Sequence, residues 1–386
     1  MITATAAQGV ASPYLDFYGR ESISPVSQDI SDLDRHFQRR EALYRHLGIV
    51  PALIAGRSVV EFGPGSGHNA CYTSALGPSR YVLVDGNPRG IEETRALLAR
   101  HARGGLKHEI VPSLIEDFRT ADRFDLVLCE AVLSAQPDAP GLARHVAGFA
   151  KPGGVIVITC MDSVSFLPES LRRVLATALL DPAASTDQTA TSLVGAFAPH
   201  LRTLKGMSRS HKDWVLDSML FPYRGRLFSI ADAIAALDVG CDVYGASPSF
   251  LTDWRWYKDI HGEARRYNEV ALSGFWRNLH NHLDYRCEFA PRAELENQKL
   301  LVLCDLVFDL EEHYRHTRAP ETLAEIVVQS RTIARLVRSF SPSTADALEE
   351  FGEVVGAGIT STAVAGMRRF GPWFGRGQQY LSLIRK

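Results

Sequence analysis

The sequence predicts an α/β protein, a parallel sheet covered by helices on both faces, with a large and mainly helical addition. Three observations predict it. Short apolar runs recur between about residues 57 and 160, each apolar on both faces of a strand. Helix-length segments separate them, as right-handed crossovers between parallel strands require. After about Met161 the alternation stops and the composition turns helical.

The elements follow in order. Asp29 to Leu47 places Ile30, Leu33, Phe37, Leu43, Tyr44 and Leu47 at helical spacing, with Ser31 or Asp29 as the expected cap. Arg57 to Phe62 reads as a strand ending at glycines, and Gly67 to Leu76 as a helix. Tyr81 to Asp85 is a buried strand. Pro88 to His101 is a helix, since proline suits a first turn. Lys107 to Leu114 and Phe124 to Val132 are strands, and Leu142 to Ala150 is a helix. Lys151-Pro152-Gly153-Gly154 is a turn before the strand Val155 to Cys160.

Residues 162 to 220 are helical in composition, with a polar break at Asp181 to Thr191. Ser229 to Leu237 is a helix and Cys241 to Tyr244 a short strand. Residues 251 to 350 are helix-rich, and Gln378 to Ile384 is a last strand. In such sheets ligands bind outside the carboxyl ends of the strands.

The chain has 386 residues, long enough for two or three domains, and its net charge of -2 carries no nucleic-acid signature. No nucleic-acid or membrane partner is expected. No apolar run has membrane-span length and no signal peptide is evident, so a cytoplasmic location is expected. Oligomeric state is not legible. The six cysteines form no C-x-x-C pair and read as reduced, buried side chains. No metal is expected. His280 and His282 would lie about 200° apart on a helix, and His313 and His316 lack a third ligand.

Gly63, Gly65 and Gly67 sit between a strand and a helix. They permit a tight turn and close approach of a ligand to backbone, and the following helix start offers free N–H groups. Pro64 and Ser66 complete G-P-G-S-G, and His68 takes the last glycine position of a dinucleotide fingerprint, which argues against a nicotinamide or flavin enzyme. Glu61, two residues ahead, would repel a pyrophosphate and suit an ammonium group.

The run E-F-G-P-G-S-G resembles the first motif of class I S-adenosylmethionine-dependent methyltransferases. The resemblance covers about residues 50 to 162 and implies a Rossmann-like, seven-stranded sheet. It implies that Asp85, followed by Gly86, holds the cofactor ribose. It implies that Glu116 or Asp117 meets the adenine amino group and that Phe118 lies beside the adenine ring. Phe124 to Leu133 resembles the fourth-strand motif, and the KPGG turn the entry to strand five. Glu130, at the strand end, is expected to hold the methionine part of the cofactor or the loop itself.

The family pattern departs at CEAVLSAQPD, where Ala135 stands at the position often taken by a histidine. Methyl transfer from a sulfonium is an in-line displacement, so orientation supplies most of the catalysis. A hydroxyl acceptor also needs a base, and the candidates are His211, His68 and His36. Tyr14, Tyr18 and Arg20 form a possible lid segment. Trp254 and Arg255, with Trp256 and Trp276-Arg277, are candidates for an acceptor pocket, and Arg376 between two glycines for an anion contact.

The expected domains are an N-terminal arm and helix (1–48), a cofactor-binding core (49–162), a helical insertion (163–240), a core strand (241–250), a helical cap (251–365) and a C-terminal segment with the last strand (366–386). The expected activity is S-adenosylmethionine-dependent methylation of a small molecule, foremost at an oxygen of a sugar, glycolipid-type or secondary-metabolite acceptor. N-methylation and a non-catalytic cofactor-binding module are the alternatives. S-adenosylhomocysteine would be the product form of the cofactor.

Overall fold

The computed structural model describes residues 28–101, 108–222 and 226–386. Tyr14, Tyr18 and Arg20 lie outside the described residues. The chain forms two compact units, Met1–Met161 with Arg224–Phe275 and Gln378–Lys386, and Asp162–Tyr223 with Trp276–Gly377.

The first unit holds a seven-stranded sheet. Its strands are β1 (Ser58–Phe62), β2 (Arg80–Asp85), β3 (His108–Pro112), β4 (Phe124–Cys129), β5 (Ala150–Cys160), β6 (Cys241–Ser247) and β7 (Gln379–Arg385), in the order β3-β2-β1-β4-β5-β7-β6. β1 to β5 are mutually parallel, and β7 runs antiparallel to both β5 and β6. Val59, Val60, Phe62, Val82, Leu83, Val84, Val127 and Ile156 to Ile158 are fully buried. Branched and aromatic side chains covered on both faces favour this extended, sandwiched backbone.

Helices α1 (Leu33–His46), α2 (His68–Ala75), α3 (Pro88–His101) and α4 (Ala139–Ala147) belong to the same unit, as does the helix Ile230–Leu237. The cap of α1 differs from expectation. Asp32, not Ser31 or Asp29, accepts the Arg35 N–H at 3.0 Å, while Asp29 instead closes a turn onto the Ser31 N–H. An aspartate three residues ahead of a free N–H is the better cap geometry. The expected KPGG turn is drawn into β5 as an irregularity between its pairings with Phe124 and Leu126, with Gly153 left-handed at φ 75°.

The second unit is helical. Its longer helices are Ser163–Leu179, Thr186–Leu201, Glu294–Thr317, Pro320–Val337 and Pro342–Ala357. The expected polar break is shorter than Asp181 to Thr191, because Ser185 caps the next helix in a reciprocal capping box with Gln188. Five of the cysteines are buried as expected, but Cys287 is only half-buried.

Candidate active site

The site is built at the carboxyl ends of β1, β2 and β4. After β1 the chain turns through Gly63, Gly65 and Gly67, whose φ angles are 69°, 56° and 78°. Two of these glycines also have no room for a side chain. A Cβ at Gly63 would stand 2.7 Å from a Val132 methyl, and one at Gly67 would stand 2.9 Å from the Cα of Thr94. The Gly67 N–H donates to the Pro64 carbonyl at 2.9 Å, which closes the turn into α2. Thr94 on α3 donates its hydroxyl to the Gly65 carbonyl at 2.8 Å. The loop is therefore fixed from behind, with the first turn of α2 following directly.

β2 lies beside β1 in register, Phe62 opposite Val84, so Asp85 ends next to the loop. One of its oxygens accepts the Gly65 N–H at 3.1 Å and the other the Asn87 N–H at 2.7 Å. Burial pushes its pKa up to about 6, against the pull of those N–H groups. Gly86, half-buried, follows it. Asn87 caps α3 through its side-chain oxygen, and its buried amide nitrogen has no partner.

Glu61 is buried on β1 and accepts a hydrogen bond from the Tyr81 hydroxyl. Burial first, then the neighbouring Glu130 charge, pushes its pKa up to about 7. Glu130 follows β4 directly. Arg40 of α1 grips both its oxygens in a fork, at 2.8 and 2.6 Å, and Asn69 of α2 donates to it at 3.3 Å. Glu130 thus ties α1 and the helix behind the glycine loop to the sheet. Ala131 adopts a left-handed φ of 59°, and its N–H is bound by the Thr159 hydroxyl at 2.7 Å. A non-glycine residue held this way is a strained position next to a binding edge.

One expected contact is corrected. Phe118 is fully buried, packed on Phe62 and Phe149 with ring centroids 5.6 and 5.1 Å away, and offers no face to a ligand. The apolar side chains that border the loop are Val132 and Ile115, both near the position a Gly63 Cβ would take. Glu116 is exposed and Asp117 half-buried, whereas Ser113, whose N–H donates to the Asp85 carbonyl at 3.0 Å, stands at the end of β3.

The remaining candidates fall in several places. His36, buried on α1, bonds the His68 carbonyl through Nε2 at 3.0 Å, and burial lowers its pKa. His68 opens α2, and its Nδ1 accepts the Gln28 N–H at 3.1 Å. His211 opens the helix His211–Val215 in the second unit. Trp254 is 92% exposed on the loop after β6. Arg255 is locked onto Asp253 and the Ala264 carbonyl in that loop. Trp254 therefore lies on open surface, and Arg255 is half-buried and bound within its own loop.

Arg376 is not an open anion contact. Its guanidinium donates to the Asn281 and Cys287 carbonyls, each at 2.7 Å, and so braces a loop of the second unit. Among the described residues no group of His, Cys, Asp and Glu is arranged to hold a metal ion.

Sequence reasoning missed Arg40. The signal was available. Leu33, Phe37, Arg40, Tyr44 and Leu47 repeat on one helical face, and an arginine on an apolar face needs a buried acid.

Residues 35–192 match the family described as methyltransferase domain. These residues thus form a methyltransferase domain. An arsenite methyltransferase of Aquipseudomonas alcaligenes is 30% identical over 142 residues, 34% of this chain and 41% of the relative. A probable phthiotriol/phenolphthiotriol dimycocerosates methyltransferase of Mycobacterium ulcerans is 33% identical over 111 residues, 28% of this chain and 41% of the relative. The chain thus spans about two fifths of the length of these curated relatives. Among solved structures, magnesium protoporphyrin IX methyltransferase from Synechocystis with S-adenosylhomocysteine overlaps 60% of this chain and 85% of its own, at 14% identity and a TM-score of 0.34.

The cofactor of this domain class is S-adenosylmethionine, and the residues present suit it. The left-handed glycines leave the loop backbone open to close approach. Asp85 offers a carboxylate for ribose hydroxyls, and the orphaned amide of Asn87 lies two residues beyond it. Glu61 offers an acid near an ammonium group, which would lower its raised pKa on binding.

Proposed function

We propose that the protein methylates a small molecule, at an oxygen of a sugar, glycolipid-type or other secondary-metabolite acceptor. The observation that carries this reading is the methyltransferase loop itself, with Asp85, Glu61 and the Arg40–Glu130 fork at adjoining strand ends. S-adenosylmethionine would supply a methyl group made electrophilic by its sulfonium. The residues of this chain would then bind and orient. Asp85 would accept from the ribose, Glu61 would face the ammonium group, and the Arg40–Glu130 fork would hold α1 against α2.

An oxygen acceptor also needs a group to take its proton. His36 has the firmest support, because burial lowers its pKa and it is bonded at the first residue of α2. His68 and His211 are the other candidates. The size of the helical unit supports a dedicated role in recognising the acceptor, to which residues 163–240 and 251–365 are assigned, with 1–48 as a closing segment.

A second reading follows from Glu130. Its engagement by Arg40, with Ala135 in place of a histidine, leaves no free acid or histidine directly after β4. That favours a cofactor-binding module without transferase activity. Incubation with methyl-labelled S-adenosylmethionine and a metabolite extract tests both. Label in an ether-linked methyl supports the proposal, and label on nitrogen moves it to N-methylation. No label, with S-adenosylhomocysteine still bound, favours the module.

A further inference from the structure

A second concave site lies in the sheet unit, away from the glycine loop. The segment between β3 and β4 and the end of α4 border an open cleft of about 620 Å³. Arg119, Arg123, Arg144, His145, Thr120 and Gly148 are among its lining residues, and none of the lining residues is acidic. The cleft sits at the start of β4, which is the amino edge of the sheet, whereas the glycine loop is at the carboxyl edge.

The arginines are placed but not neutralised. Arg119 donates through Nη1 to the Glu116 and Phe118 carbonyls at 2.5 and 2.9 Å. Arg123 donates through Nη1 to the Thr120, Ala121 and Asp122 carbonyls at 3.3, 3.2 and 2.9 Å. Each guanidinium is thus folded back onto its own loop, with its other nitrogens left for a ligand. Neither forms an ion pair among the described residues, nor does Arg144. Asp122, next to Arg123, is taken by Arg80 at 2.8 Å, and Glu116 and Asp117 precede Arg119 without an ion pair to it among the described residues.

Burial and then Arg119 lower the His145 pKa, the Glu116 charge opposes them, and Nε2 bonds the Ile115 carbonyl at 2.9 Å. The end of α4 would oppose an anion through its carbonyls. However, the Gly148 N–H bonds the Arg144 and His145 carbonyls, at 3.1 and 3.2 Å, which blunts that opposition.

Three guanidinium groups without an ion-paired acid, on a cleft of ligand size, are the recognition chemistry of a phosphate-bearing anion. We propose that this cleft binds a small diphosphate-bearing ligand, either free pyrophosphate or a nucleoside diphosphate. Planar forks match phosphate oxygens in pairs, and two linked phosphates match more than one arginine at once.

Calorimetric titration of the full chain with inorganic pyrophosphate, ADP and a single-stranded RNA tests this. Pyrophosphate and ADP should saturate one shared site, with affinity falling as salt rises. Tighter binding of ADP assigns the source to a nucleotide, and equal binding to the free diphosphate. Arg144→Glu should weaken both by about ten-fold or more, with Arg119→Glu as the second variant. Thermal stabilisation by S-adenosylhomocysteine, unchanged in both variants, would show that the fold persists. Dissociation constants weaker than about 1 mM, binding of RNA alone, or affinities untouched by both charge reversals would overturn the proposal.

Discussion

In the sheet unit, buried charges stand at strand ends beside left-handed glycines. In the helical unit they stand on helix faces and pair with one another. Arg173 meets Glu311 at 3.0 Å with both side chains fully buried, and Glu312 at 2.8 Å. Arg172, also buried, donates to the Phe370, Gly371 and Trp373 carbonyls and lies 3.9 Å over the Phe374 ring. Asp162 caps the helix Ser163–Leu179 and holds His282 at 2.8 Å. In the sheet unit Arg40 answers Glu130, but the two acids nearest the glycine loop have no cation on them among the described residues. Glu61 has a phenol hydroxyl and Asp85 has backbone N–H groups. Buried charge compensated by buried charge holds a structure together, whereas buried charge left with only neutral donors is suited to receive a ligand.

Substitutions sharpen that contrast, and the largest effect should come from the helical unit. Glu311→Ala leaves Arg173 without its fully buried partner, and denaturant unfolding should show a loss of about 3–5 kcal/mol. A loss below about 1 kcal/mol would mean that the pair behaves as a surface bridge and that the contrast is misdrawn.

Glu61 comes next and depends on pH. Its folded pKa of about 7 lies above the ordinary 4.5, so the folded state binds its proton more tightly. Its contribution to stability is full below the ordinary value and is lost as pH rises through the folded one. Relative to Glu61→Gln, the wild type should therefore lose about 3 kcal/mol across that window. Unfolding curves of both proteins at several pH values read it directly. A constant difference would show that the carboxyl group is not held neutral by burial.

Asp32→Ala is the smallest of the three. Loss of one exposed cap should cost about 1 kcal/mol, by the same measurement, without altering cofactor binding. A larger effect on binding than on stability would give α1 a role at the site beyond that of Arg40.

The same contrast explains what the sequence made legible. The alternation of apolar runs and helix-length segments carries the sheet, because strands covered on both faces leave a pattern that needs no partner to be read. The glycines are legible because positive φ and lack of room restrict the residue type. Phe118 misleads because an aromatic after an acid reads equally as a ring contact or as core, and only packing on Phe62 and Phe149 decides. Arg376 misleads because flanking glycines suggest exposure, whereas the carbonyls that take its guanidinium are about ninety residues away in the chain. The buried pairs of the helical unit join positions more than a hundred residues apart, such as Arg173 with Glu311 and Asp162 with His282. No local spacing encodes them.

The most direct test is thermal unfolding of the wild type and Asp85→Ala, each with S-adenosylhomocysteine and, separately, with NAD. S-adenosylhomocysteine at a hundred times its dissociation constant should stabilise the wild type by about 2.7 kcal/mol. NAD should leave it unmoved, and Asp85→Ala should lose the effect. Equal stabilisation of the variant, or stabilisation of the wild type by NAD, would contradict the placement of the cofactor at Gly63 to Gly67 and Asp85.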